Sequence, residues 1–136
     1  MNRDLLTADL VRDEGLRLKP YVDTVGKLSI GIGRNLDDVG ITKAEAYMLA
    51  AGDIEGVERD LDRSLTWWRD LSEPRQRAVA NLCFNLGISR LLGFKRALAA
   101  LKAGDYERSA DEFLDSLWAR QVKARATRVT DLIRRG

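Results

Sequence analysis

The chain has 136 residues, 45% of them hydrophobic and 32% charged, which excludes a disordered tail and allows one domain with a sizeable core. Its formal net charge of +2 dictates no polyanionic partner. Histidine is absent and cysteine occurs once, at Cys83. Ser-His-Asp and Cys-His triads, imidazole zinc sites and an internal disulfide are therefore excluded, and proton transfer falls to carboxylates.

A helix is predicted over residues 3–14. Leu6, Leu10 and Ala8 or Val11 stand at near-helical spacing, Asn2 is a natural N-cap, and Gly15 is a stop. Glu14 then lies on the last turn. Over residues 16–33 the period changes from 3.6 to 2. Leu28, Ile30 and Ile32 point one way, and Ser29, Gly31 and Gly33 the other. Pro20 argues against a central strand, and Asp23-Thr24-Val25-Gly26 has turn chemistry. The expectation is a small antiparallel hairpin or three-stranded meander.

Thr42-Lys43-Ala44-Glu45 has the capping-box pattern and opens a long helix to about residue 65. Gly52 and Gly56 interrupt it, each at a cost of about 1 kcal/mol relative to alanine, enough to permit a kink. Ser72-Glu73-Pro74 starts another helix, with Ala78, Val79, Leu82, Cys83 and Leu86 on its apolar side and Gly87 as its stop. Further helices are expected over about 93–103, 105–117 and 122–134. Trp67 and Trp68 offer a sugar-stacking platform on one reading and core packing on the other. Trp68 continues the apolar stripe of the long helix, which favours packing. Cys83 reads as an inert core thiol. Gly31-Ile32-Gly33 lacks the third glycine and the βαβ unit of a dinucleotide loop.

No stretch reaches the roughly 20 apolar residues needed to span a bilayer. The first residues, MNRDLLTADLVRDE, carry acids where a signal peptide has its apolar core, so cytoplasmic synthesis is expected, without stable membrane insertion. Residues 119–136 hold six basic side chains and one acid. Aromatic interleaving is missing there, so the segment reads as a solvated face attracted to an anionic wall, with no nucleic-acid partner.

Two carboxylates and a hydroxyl, Glu14, Asp23 and Ser29, gather about the glycine-rich hairpin. Glycosidic cleavage needs one carboxylic acid to protonate the leaving oxygen and an opposed carboxylate to manage water. Each residue also has a plain local explanation, as a helix-end acid, a turn cap and a polar strand residue.

The run EGLRLKPYVDTVGKLSIGIG resembles the catalytic signature of the phage-type lysozymes of glycoside hydrolase family 24. Glu14, Asp23 and Ser29 fall on its three catalytic positions. The resemblance continues through Asn81 and Asn85 in NLCFNLG, Gly93-Phe94 and SLWARQVKARATRV, and covers nearly the whole chain. It implies a predominantly helical α+β, lysozyme-like fold in a single domain of two lobes. The small β lobe takes about 15–41, the connecting helix about 42–65, and the helical lobe about 66–136 plus helix 3–14.

The resemblance further implies an endolysin that hydrolyses the β-1,4 bond between N-acetylmuramic acid and N-acetylglucosamine in peptidoglycan. Glu14, partly desolvated between the lobes, acts as general acid, while Asp23 and Ser29 position the water. Gly31 and Gly33 leave room for sugar, Arg125 pairs with the catalytic glutamate, Asn85 and Arg34 support the site, and Trp118 is structural. No cofactor or metal is implied. The protein is expected to be a monomer in the host cytoplasm that needs a separate membrane-permeabilising partner for release.

Ser29 replaces the family's usual threonine, losing the methyl that stiffens χ1. Arg34 replaces a frequent histidine, with Asp53 as a candidate partner. Two alternatives are a lytic transglycosylase, which has no need of Asp23, and a catalytically silent glycan-binding or phage structural domain.

Overall fold

The computed structural model describes residues 1–136, a predominantly helical α+β protein with one small antiparallel sheet. Two compact units divide it, Met1–Met48 and Leu49–Gly136.

In the first unit, α1 (Arg3–Glu14) begins where the Asn2 side chain accepts the Leu5 N–H at 3.0 Å. It ends at Gly15, whose N–H caps the Val11 carbonyl. Both ends are as the sequence predicts. No residue of α1 is buried, because Leu5, Leu6, Ala8, Leu10 and Val11 spread around the helix rather than along one line.

The sheet has the order β1 (Arg17–Val22), β2 (Leu28–Gly31), β3 (Arg34–Asn35), the expected three-stranded meander. Register is set by Tyr21 opposite Ser29, Val22 opposite Leu28, and Ser29 opposite Asn35. Between Arg17 and Tyr21 the register shifts. Pro20 stands in that irregular stretch of an edge strand, where its missing N–H leaves no gap in a central ladder.

The helix α2 (Lys43–Ser64) opens with the predicted reciprocal cap. Thr42 Oγ1 accepts the Glu45 N–H at 3.1 Å, and Glu45 Oε1 accepts the Thr42 N–H at 3.2 Å. Helical hydrogen bonding continues through Gly52 and Gly56.

The second unit is built on the last turns of α2, a 3-10 turn at Trp68–Asp70, and α3 (Glu73–Leu86), α4 (Ile88–Leu92), α5 (Lys95–Lys102), α6 (Tyr106–Leu114), α7 (Leu117–Val122) and α8 (Ala124–Arg135). Its core joins Leu61, Trp68, Val79, Leu82, Leu101, Phe113, Val129 and Ile133, with the Phe94 and Phe113 rings 5.3 Å apart. Trp68 and Cys83 are buried, as read from their spacing, and so is Trp118, as the resemblance implies. Burial, with the nearby Asp60 charge as a smaller cause, pushes the Cys83 thiol up, which keeps it protonated and unreactive. No helix is long and apolar enough to cross a membrane.

Three helix boundaries differ from the sequence reading. The short α4 was not anticipated. Its five residues are too few to show periodicity, and Gly87 both caps α3 and opens α4. The helix expected over 105–117 breaks between α6 and α7, because the Ser116 hydroxyl accepts the Ala119 N–H and starts a new helix. The helix expected from 122 begins at Ala124, after Lys123 at φ 38°.

Candidate active site

Glu14 is the final residue of α1, and the chain turns away immediately after it at Gly15, φ 81°. Its side chain lies along Gly33. A Cβ placed on that glycine would stand 2.9 Å from Glu14 Oε2, 3.1 Å from Cδ and 3.2 Å from Cβ. The carboxyl is exposed, which corrects the expectation of partial desolvation.

Asp23 is half-buried in the β1–β2 turn and builds that turn itself. Its Oδ1 accepts the N–H groups of Val25 at 2.9 Å and Lys27 at 2.8 Å. Backbone bonds from Gly26 N–H to the Asp23 carbonyl and from Asp23 N–H to the Lys27 carbonyl close the loop. Both side-chain bonds fall on Oδ1, so Oδ2 stays available.

Ser29 is 2% exposed. The sequence reading placed it on an open glycine face, with Leu28, Ile30 and Ile32 opposite. Here Leu28 and Ile32 are more than a third exposed while Ser29 is buried. It occupies the central strand, with Tyr21 and Asn35 as its cross-strand neighbours. Its hydroxyl stands 3.5 Å from the Lys27 carbonyl, too long for a firm hydrogen bond, so the proton is only weakly held. Lys27 is thus the junction of the site. Its N–H fixes Asp23, and its carbonyl faces Ser29.

Gly31 has φ 70° and open space where a Cβ would stand. Arg34 takes Glu45, not Asp53, as its ionic partner. Nη2 lies 3.0 Å from Glu45 Oε2, and Nη1 donates to Glu45 Oε1 and to the Gly40 carbonyl. The arginine thereby ties β3 to the cap of α2. The Thr42 N–H first, and then the Arg34 guanidinium, hold the Glu45 carboxyl below its ordinary range.

In the second unit, Asn85 accepts the Trp118 Nε1–H at 2.6 Å, which fixes the ring. The hydrogen bond Arg125 makes is to Asn81 Oδ1, at 2.9 Å from Nε. Both residues line a cavity of about 520 Å³ with Ile54, Val57, Trp68 and Phe84. Trp68 donates Nε1–H to Asp62, and the sugar-platform reading of the tryptophan pair gives way to core packing.

Sequence reasoning missed the brace around β2. Asp37 Oδ2 accepts the Leu28 N–H at 2.7 Å, Asp38 pairs with Lys27, and Asn35 and Asp38 exchange two bonds. The run Asn35-Leu36-Asp37-Asp38 carries a readable turn signal for this.

The phage lysozyme family model matches residues 11–136. The chain is 33% identical, over 99% of its length, to the pre-baseplate central spike protein of Enterobacteria phage T4, but spans only 28% of that protein. It is 27% identical to probable T4-type lysozyme 1 of Dictyostelium discoideum, covering 91% of this chain and 90% of the relative. An endolysin of Acyrthosiphon pisum secondary endosymbiont phage 1 is 31% identical over 91% of this chain and 84% of its own length.

Proposed function

Because the chain belongs to the phage lysozyme family, we propose that it is a cell-wall hydrolase cleaving the β-1,4 bond between N-acetylmuramic acid and N-acetylglucosamine. The observation that carries this reading is the placement of two carboxylates about one strand. Glu14 lies against Gly33, just beyond the Gly31 end of β2, and Asp23 occupies the turn at its Leu28 end. Three residues of strand separate these ends, about 10 Å at 3.4 Å per residue. Inversion requires a gap of about 6.5–9.5 Å between the two carboxyl groups, so that a water fits between acid and base.

Glu14, protonated, donates its proton to the bridging oxygen as the bond to the anomeric carbon breaks. Water attacks that carbon from the opposite face, and its proton passes to Asp23 through Oδ2. Ser29, weakly held by the Lys27 carbonyl, offers its hydroxyl to the same water. The product is a reducing N-acetylmuramic acid end. Exposure of Glu14 in the free protein leaves it open to a polymer, and bound glycan itself supplies the desolvation. In this reading the protein acts as a monomer. It reaches the wall from the host cytoplasm through a separate membrane-permeabilising partner.

Clearing of a peptidoglycan suspension tests the assignment. Glu14→Gln is expected to abolish clearing with the fold unchanged, and substantial lysis by that variant would sink it. Mass analysis separates hydrolysis from transglycosylation, whose anhydro product is lighter by one water. The match to a central spike protein favours a second reading, in which this domain serves inside a phage structural assembly. Binding to peptidoglycan without clearing would support a silent form of that role.

A further inference from the structure

We propose that Gly33 is a positioning residue for Glu14, its missing side chain forming the slot in which the glutamate lies. The inference rests on the reading of Glu14 as general acid. A glutamate at a helix end has three rotatable side-chain bonds and no intrinsic reason to hold one direction. The distances at Gly33 show what restrains it. The would-be Cβ comes within 3.2 Å of both the carboxyl carbon and the first side-chain carbon of Glu14. Contact therefore runs along the whole stem.

Turning the carboxylate alone cannot relieve such a clash, because Glu14 Cβ is fixed to the helix. An alanine at position 33 pushes the acid out of its place or the hairpin away from α1. Gly31, two residues earlier and equally left-handed, meets nothing within 4 Å. Backbone conformation explains a glycine at both positions, but only at Gly33 is the space itself used.

Gly33→Ala is compared with Gly104→Ala and Glu14→Gln. Gly104 has φ 82° and only the Tyr106 hydroxyl oxygen, at 4.0 Å, near its would-be Cβ. Its alanine variant carries the left-handed strain without a clash, and both alanine variants are expected to melt a few degrees lower. Hydrolysis of a soluble N-acetylglucosamine–N-acetylmuramic acid oligomer is followed across pH. Gly33→Ala alone is expected to lose about 10- to 100-fold in kcat with KM kept and to displace the acid limb of the rate profile. A kcat equal to that of Gly104→Ala overturns the proposal. So does a raised KM with kcat intact, which would make Gly33 a floor for sugar.

If Gly33→Ala does not fold, it is combined with Glu14→Gly, which removes the Glu14 atoms that the added Cβ meets. That pair is expected to fold and to melt within about 2 °C of Gly104→Ala combined with Glu14→Gly, and a pair that still fails to fold overturns the proposal. An active Glu14→Gln defeats the general-acid reading itself. An inactive Glu14→Gln beside a fully active Gly33→Ala defeats only the positioning role.

Discussion

Asp23 is asked to do two things, and two substitutions separate them. Its Oδ1 takes both turn hydrogen bonds, from Val25 and Lys27, while Oδ2 takes neither and is the proposed proton acceptor. Asp23→Ala deletes both bonds. A buried charge-assisted bond contributes about 1.5–3 kcal/mol. For a half-exposed turn we discount that to about 1 kcal/mol each, or about 2 kcal/mol together. With an unfolding entropy of about 2.1 cal/mol/K per residue, this lowers Tm by about 7 °C. Asp23→Asn keeps an oxygen for the two N–H groups and replaces Oδ2 by an amide that cannot accept a proton. Its expected cost is about 0.5 kcal/mol, or about 2 °C, with a loss of about 10²- to 10⁴-fold in hydrolysis. Thermal melting and clearing of a peptidoglycan suspension read the two effects separately. An Asn variant that melts as low as the Ala variant refutes the division of labour between the oxygens. An Asn variant that clears at the unaltered rate refutes the role of Asp23 as base.

Glu45 gives a pH signature. Its carboxyl is held below the ordinary range by the Thr42 N–H and Arg34, so its contribution to stability is complete above that range and lost as pH falls through the lowered value. Melting temperature should therefore drop less between about pH 5 and pH 2 in Glu45→Gln than in the unaltered chain, and parallel curves would contradict this. Lys123, at φ 38° and ψ −98°, is the one non-glycine residue with positive φ. Its N–H reaches the Ala119 carbonyl and its carbonyl accepts from Thr127, bonds that glycine retains. Relief of about 1–3 kcal/mol of strain, less about 0.4–1 kcal/mol of added freedom in the unfolded chain, makes Lys123→Gly about 1 kcal/mol more stable. Melting would show a rise of about 3–4 °C, and a fall would refute the strain.

Much of the candidate site was legible because its signals are local. Asn2 caps Leu5, Gly15 ends α1, and Thr42 and Glu45 cap each other, all across three or four residues. The change of period from 3.6 to 2 marked the hairpin for the same reason. Ser29 shows where this reading stopped. Alternation correctly put it on the face opposite Leu28, but which face is covered depends on the neighbouring strands, Tyr21 on one side and Asn35 on the other. Likewise Arg34 had an acid available at either Glu45 or Asp53, and the path of the intervening loop chose Glu45.

By itself, then, the sequence narrowed the possible chemistry, through the absence of histidine, and determined the helices whose caps and spacing lie within a turn or two. It also brought Glu14, Asp23 and Ser29 into one glycine-rich stretch. Tertiary structure alone decided that Ser29 is covered, that Trp118 finds Asn85 across 33 residues, and that Glu14 lies on Gly33. Caps and periods are interactions between near neighbours, whose geometry the backbone carries with it. Contacts between residues distant in sequence depend on how the elements pack, and no local spacing encodes that distance.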